Sequence, residues 1–183
     1  MEQSPSPIEP DTKDWTWVLE RPCPECGFDA ASVDVTRTGD AVRAMLPAWG
    51  EELAKPDASL RPSADRWSPL EYACHVRDVF SIFEARLALM LDQDDPEFPN
   101  WDQDQTAIDD DYANQTAAVV AAELDQAGRQ VAVAFDAVGD DQWERTARRS
   151  DGAAFTVDTF ARYFLHDPTH HLWDVSGEGV PTA

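Results

Sequence analysis

The sequence predicts an all-α protein, a four-helix bundle with an irregular N-terminal arm. Three observations lead there. Four segments repeat apolar residues at three- and four-residue steps. No strand-like alternation separates them. A chain of 183 residues, 43% of them hydrophobic, is one domain's worth and can bury a core. The expected divisions are a leader and Trp/Cys arm over 1–31, the bundle over 32–175 and a C-terminal tail over 176–183.

Residues 1–14 are rich in proline and acid and read as a loose leader, without the basic start and apolar run of a secretory signal. The arm carries Trp15, Trp17 and the segment Pro22-Cys23-Pro24-Glu25-Cys26-Gly27. The first helix is expected from Ser32 to Ala54, with Val35, Val42, Met45, Leu46, Trp49 and Leu53 on one stripe. Pro56 and Pro62 bound the next loop. Ser68-Pro69-Leu70-Glu71 is a capping box with proline at the first helical position. The second helix it starts has the stripe Tyr72, Val76, Val79, Phe80, Phe83, Leu87 and Met90, and an acidic loop with Pro96 and Pro99 ends it. The third helix is expected over Asp109 to Val138, three aspartates favouring its start and Gly139 its stop. Residues 139–155 read as a loop or short hairpin turning at Asp151-Gly152. The fourth helix is expected from Thr156 to Val175, with Gly177 and Gly179 after it. The loops after helices two and three are long for a bundle, as lids over sites often are. Pattern alone does not choose between up-down-up-down and crossover orders.

Charge narrows the partners. With 14 Lys and Arg against 36 Asp and Glu, the net charge is -22. Such a surface repels nucleic acid and anionic membranes. No apolar run reaches the roughly 18 residues of a transmembrane helix. A cytoplasmic protein acting on a small molecule is expected. An apolar bundle face would allow a homodimer, though nothing in the sequence requires one. Three cysteines, Cys23, Cys26 and Cys74, do not make a disulfide framework.

The four histidines carry the chemistry. His166 and His170, four residues apart, share one helix face and are spaced to chelate one cation. His75, beside the apolar stripe of the second helix, supplies a third ligand. Three protein ligands leave a position open, the pattern of a catalytic site. Pro168 lies between the pair. Either the helix kinks and keeps both rings on one side, the favoured reading, or it restarts at Asp167 and Pro168, and His171 becomes a rival ligand. Asp78 and Asp174 are placed to orient ligands from behind. As plain structure, these histidines and aspartates would be core or solvated helix residues.

Cys23-Pro24-Glu25-Cys26-Gly27 has three readings: a structural turn, a redox pair, or half of a metal site that needs two more ligands. Cys74 offers one, and no second is evident. The loop Phe98 to Asp104, with Trp101, reads as a solvated acidic loop or as a cover for the metal cavity. Trp67 and Trp173 flank the histidine segments and could wall a pocket. Arg149 reads first as a salt-bridge partner and second as an anchor for an anionic substrate. No phosphate-cradling glycine loop or nucleophile elbow is present.

Trp67-Ser68-Pro69-Leu70-Glu71 leading to Cys74-His75-Val76-Arg77-Asp78, together with His166-Asp167-Pro168-Thr169-His170-His171-Leu172-Trp173-Asp174-Val175, resembles the DinB-like superfamily over roughly 32–175. That superfamily includes mycothiol-dependent maleylpyruvate isomerases and related thiol transferases. The resemblance implies an up-down-down-up bundle. It implies a divalent metal, zinc or nickel, on His75, His166 and His170, and a low-molecular-weight thiol such as mycothiol as co-substrate. A metal-dependent thiol transferase or isomerase acting on a small electrophile is therefore expected first. A metal-dependent hydrolase that activates water, with Asp78 or Asp174 as base, is the alternative, and a non-catalytic metal or ligand binder the third. The sequence shows no basic cluster of the kind that would clamp a dicarboxylate.

Overall fold

A computed structural model describes residue 8 and residues 14–177; most of the expected leader, and the tail from residue 178 with Gly179, lie outside the described residues. The arm is wound into three 3-10 turns, Trp15–Leu19, Ala30–Ser32 and Val35–Arg37. Each starts at an aspartate, Asp14, Asp29 or Asp34, whose carboxylate accepts the amide two residues on. Such short local caps satisfy the backbone turn by turn. Helix α1 therefore begins at Thr38 and runs to Leu53, six residues later than the stripe suggested.

Helix α2, Pro69–Asp92, starts on the expected capping box. The expected third helix is divided. A short α3, Gln103–Asp109, and a 3-10 turn, Tyr112–Asn114, precede α4, Ala117–Asp136. The break is at Asp111, whose φ of 48° is left-handed and cannot continue a helix. The aspartate run thus ends α3 instead of starting α4. Helix α5, Val157–Ser176, is capped by Thr156 and closed by Gly177 at φ 72°. Between α4 and α5, the hairpin forms from β2, Thr146–Arg149, and β3, Ala154–Thr156. Gly152 takes the positive φ of its turn, 98°. A two-residue strand from the acidic loop, β1, Glu97–Phe98, adds in parallel to β2.

Helix directions follow from which residues meet. Arg43 of α1 pairs with Asp136 of α4, and Leu46 lies against Gly128, so these helices are antiparallel. Arg77 and Phe80 of α2 meet Glu123 and Gly128 of α4 in the same order, so these are parallel. His75 and Phe83 of α2 meet His171 and Phe160 of α5, an antiparallel pair. The four long helices are therefore ordered up-down-down-up. No helix of the described residues is long and apolar enough to cross a membrane.

Gly128 lets α4 approach α1 and α2 closely, because a Cβ there would lie 2.5 Å from Leu46 Cδ2 and 3.0 Å from the Phe80 ring. The core is aromatic at its centre. Phe164, fully buried, packs against Phe83, Phe135 and Phe80 with ring centroids 5.1, 5.2 and 6.0 Å away. Phe164→Ala would leave a cavity joining three helices, at an expected cost of about 3–5 kcal/mol. A urea unfolding curve with an unchanged slope and a lower midpoint would show it; an unchanged midpoint would mean that the core closes over the gap.

Candidate metal centre

Helix α5 runs unbroken through Pro168. A continuous helix turns about 100° per residue. His166 and His170 therefore share one face, while Asp167 and His171 share the next. The two faces meet different neighbours. Asp167 and His171 face α2, where they form a group with His75 whose potential ligand atoms all lie within 4.8 Å of one another. His166 and His170 face the arm, where the same distance groups them with Cys23 and Cys26. The expected set of His75, His166 and His170 is thus parted between two groups. The neighbours decide this: α2 covers only one of the two faces, and the arm covers the other.

In the first group, His75 Nε2 lies 3.3 and 3.4 Å from the two Asp167 oxygens. His171 Nε2 is 3.9 Å from Asp167 Oδ1. The His75 and His171 rings meet edge to face, with centroids 4.8 Å apart. Behind His171, Nδ1 lies 3.0 Å from Asp174 Oδ2, a contact that turns Nε2 towards Asp167. Asp174 also accepts from Arg66 at 3.2 Å. It lies closest to His171, and is also 3.8 Å from Nε2 of His170, the ring it was expected to orient. Asp78 does not take the orienting place expected of it: it accepts from Arg77 and from the Tyr112 hydroxyl.

Burial works against a charged Asp167, yet His75 and His171 outweigh it and hold its carboxyl at about 2. Its Oδ1 is buried without a hydrogen-bond partner. A cation would satisfy that oxygen. Two imidazoles and one carboxylate suit zinc and similar divalent ions, and three protein donors leave a coordination position open. His166 is different. Burial, then the neighbouring His170, push its pKa down to about 4, so it is neutral at pH 7.

A cavity of about 390 Å³ reaches this group at Asp167. Trp101 lines it and stacks on His75, with centroids 5.3 Å apart and planes 7° from parallel. The loop that carries Trp101 therefore packs against His75 and forms part of the cavity wall. Trp67 packs 5.7 Å from His75 on the protein side, and Trp173 lies 5.8 Å from His170, towards the arm. Arg149 lines the cavity and is bonded to both Asp151 and the Tyr163 hydroxyl. Arg86 of α2 joins it there, and burial, then the Arg149 charge, lower its pKa to about 10. Sequence reading missed this arginine pair because its members are 63 positions apart on α2 and β2. In the sequence Asp167 stands out only as the point of a possible helix restart, although with His171 it repeats the same four-residue spacing.

No curated protein matches the chain. Among solved structures, YfiT from Bacillus subtilis, described as a probable metal-dependent hydrolase with an unusual four-helix bundle topology, has the same fold. Its TM-score is 0.67 at 16% identity, over 80% of this chain and 87% of that one. The DinB superfamily model matches residues 38–175, which hold all four long helices and the His75–Asp167–His171 group. This chain is a member of the DinB superfamily.

Proposed function

We propose that the chain is a metal-dependent enzyme whose divalent ion, zinc or nickel, is held by His75, Asp167 and His171. Its first expected reaction is transfer of a low-molecular-weight thiol, such as mycothiol, to a small anionic electrophile, or thiol-assisted isomerisation of one. The observation that carries the reading is that Asp167, one of the three grouped donors, lines a cavity that also holds two arginines. An ion bound there supplies Lewis acidity, which lowers the pKa of a thiol or water. Asp174 holds the His171 ring in place. Trp101 shields His75 and excludes water from it. Arg86 and Arg149 bind the anionic end of the electrophile. At about 390 Å³ the cavity has room for a thiol's reactive end beside a small second substrate.

A hydrolase is the second reading, favoured by the description of YfiT. Neither Asp78 nor Asp174 lines the cavity, so a base for water would come from Asp102 or Asp104 on its rim.

Incubating zinc- or nickel-loaded protein with thiols and carboxylate-bearing electrophiles tests the two together. Thiol loss that depends on metal and electrophile supports transfer. Metal-dependent ester or amide cleavage without thiol supports hydrolysis. Absence of both, with metal bound, would overturn the enzymatic reading. Where turnover is found, Arg86→Met should raise KM for an anionic substrate about 10-fold or more, the worth of one charge-assisted hydrogen bond. It should leave KM for a neutral analogue nearly unchanged; equal effects on both would argue against the anion site.

A further inference from the structure

The second group of donors is not used by that reaction. Cys23 and Cys26 come from the arm, His166 and His170 from α5, and all four offer atoms within 4.8 Å of one another. Cys23, His166 and His170 are 2%, 4% and 6% exposed. The cavity that reaches Asp167 is lined by none of the four.

The geometry points to a closed, structural zinc site formed by Cys23, Cys26, His166 and His170. Its distances fit. Zinc–sulfur and zinc–nitrogen bonds of about 2.3 and 2.05 Å at the tetrahedral angle put sulfur and nitrogen about 3.6 Å apart. Cys23 Sγ lies 3.6 Å from His170 Nδ1. The cysteines sit on a turn shaped to hold a cation. Gly27 takes a φ of 74°, which lets the chain fold back after Cys26. The Cys23 amide donates to the Phe28 carbonyl at 2.8 Å, the Gly27 amide donates to the Cys23 carbonyl at 3.0 Å, and the Phe28 amide donates to the Cys26 sulfur.

The histidines are prepared in the same way. His170 Nε2 faces Glu25 Oε2 at 3.4 Å, which leaves Nδ1, the atom beside Cys23, as the ligand. Glu25 lies within the turn itself, so the turn orients its own partner. His166 Nε2 is buried with no hydrogen-bond partner, a cost that coordination removes. Trp15 lies over both rings, with centroids 5.6 and 5.4 Å away, and Phe28 lies 5.5 Å from His166. Four protein donors under an aromatic cover leave no place for water or substrate, the mark of a structural site. Two thiolates and two imidazoles select zinc over magnesium and calcium.

Such an ion ties the arm to α5 and fixes the rotation of that helix. The face carrying Asp167 and His171 is one residue on, so the closed site sets the aim of the open one.

Cobalt substitution of the whole protein tests this independently of any activity. Thiolate coordination gives a sulfur-to-cobalt charge-transfer absorption that the His75–Asp167–His171 group, lacking sulfur, cannot give. The expected result is that band in the wild-type protein and in His75→Ala, with its loss in Cys23→Ser/Cys26→Ser. Zinc-reconstituted protein should hold two equivalents per chain, falling to one in either variant. Absence of the band from the wild-type protein would overturn the proposal. So would its persistence in the double variant, or a Cys23–Cys26 disulfide in protein purified without air. Absence of the band from the wild-type protein is decisive by itself, and the single variants Cys23→Ser and Cys26→Ser, each expected to lose or shift the band, serve where the double variant fails to fold.

Discussion

Asp167→Ala should strip the ion from the open site and abolish any turnover that depends on it, while His166→Ala should leave that ion bound. Asp167 supplies the only negative charge among the three donors, and both imidazoles lean on it. Without it, two neutral rings remain, too few donors for a stable site. Loss of metal affinity should exceed the about 10–100-fold expected for an outer partner such as Asp174. Asp174→Ala should fall in that smaller range, because it only steers His171. Metal analysis after dialysis against a weak chelator, on wild type and each variant, ranks them. The ligand set expected from sequence, His75 with His166 and His170, makes the opposite prediction: His166→Ala would then lose the open-site ion and Asp167→Ala would keep it. Reversal of the expected ranking would reject the His75–Asp167–His171 assignment.

That contrast shows where sequence reading stops. The stripes of α1 and α2, the span of α5 and the Ser68 capping box were legible because they depend on spacing within a few residues. So was the presence of a ligand-bearing segment at 166–174. Which residues of that segment meet His75 was not legible. His166 with His170 and Asp167 with His171 are both four-residue pairs on adjacent faces, and choosing between them requires the rotation of α5 against α2. Pro168 left two prospects, a kink or a restart; α5 carries it within one continuous helix, so there is no restart and His166 and His170 stay on one side, as favoured. Long-range encounters leave no local trace. Cys23 meets His170 across 147 positions, and Arg86 meets Arg149 between a helix and a strand. The division of the third helix at Asp111 depended on a single left-handed residue that aspartate tolerates but does not require.

Glu71→Ala should be among the most destabilising single changes in the protein, at about 3–5 kcal/mol, the cost of breaking a buried ion pair by removing one partner. Its side chain is 4% exposed and pairs with Arg61, itself 14% exposed. One carboxylate oxygen also accepts from the Ser68 amide at 2.9 Å and the Ser68 hydroxyl at 2.8 Å, completing the cap of α2. Truncation would therefore remove the Glu71 half of the capping box, leaving the Ser68 hydroxyl on the residue-71 amide, and take the carboxylate from Arg61 at once. Burial opposes the Glu71 charge, but Arg61 and then Ser68 outweigh it and hold the carboxyl below its ordinary value of 4.5. A depressed carboxylate stabilises the fold fully above its unfolded pKa and loses that contribution as pH falls through the folded one. Wild-type stability should accordingly decline below about pH 4.5, and the Glu71→Ala protein should lack this part of the decline. The double variant Arg61→Met/Glu71→Ala separates the two costs, because it removes the stranded charge and keeps the lost cap. Urea midpoints at pH 7 should place it well above Glu71→Ala and about 1 kcal/mol or more below wild type. If the two variants unfold together, the ion pair contributes little and the cap accounts for the effect. If Glu71→Ala costs under about 1 kcal/mol, water must reach Arg61 more freely than its burial allows.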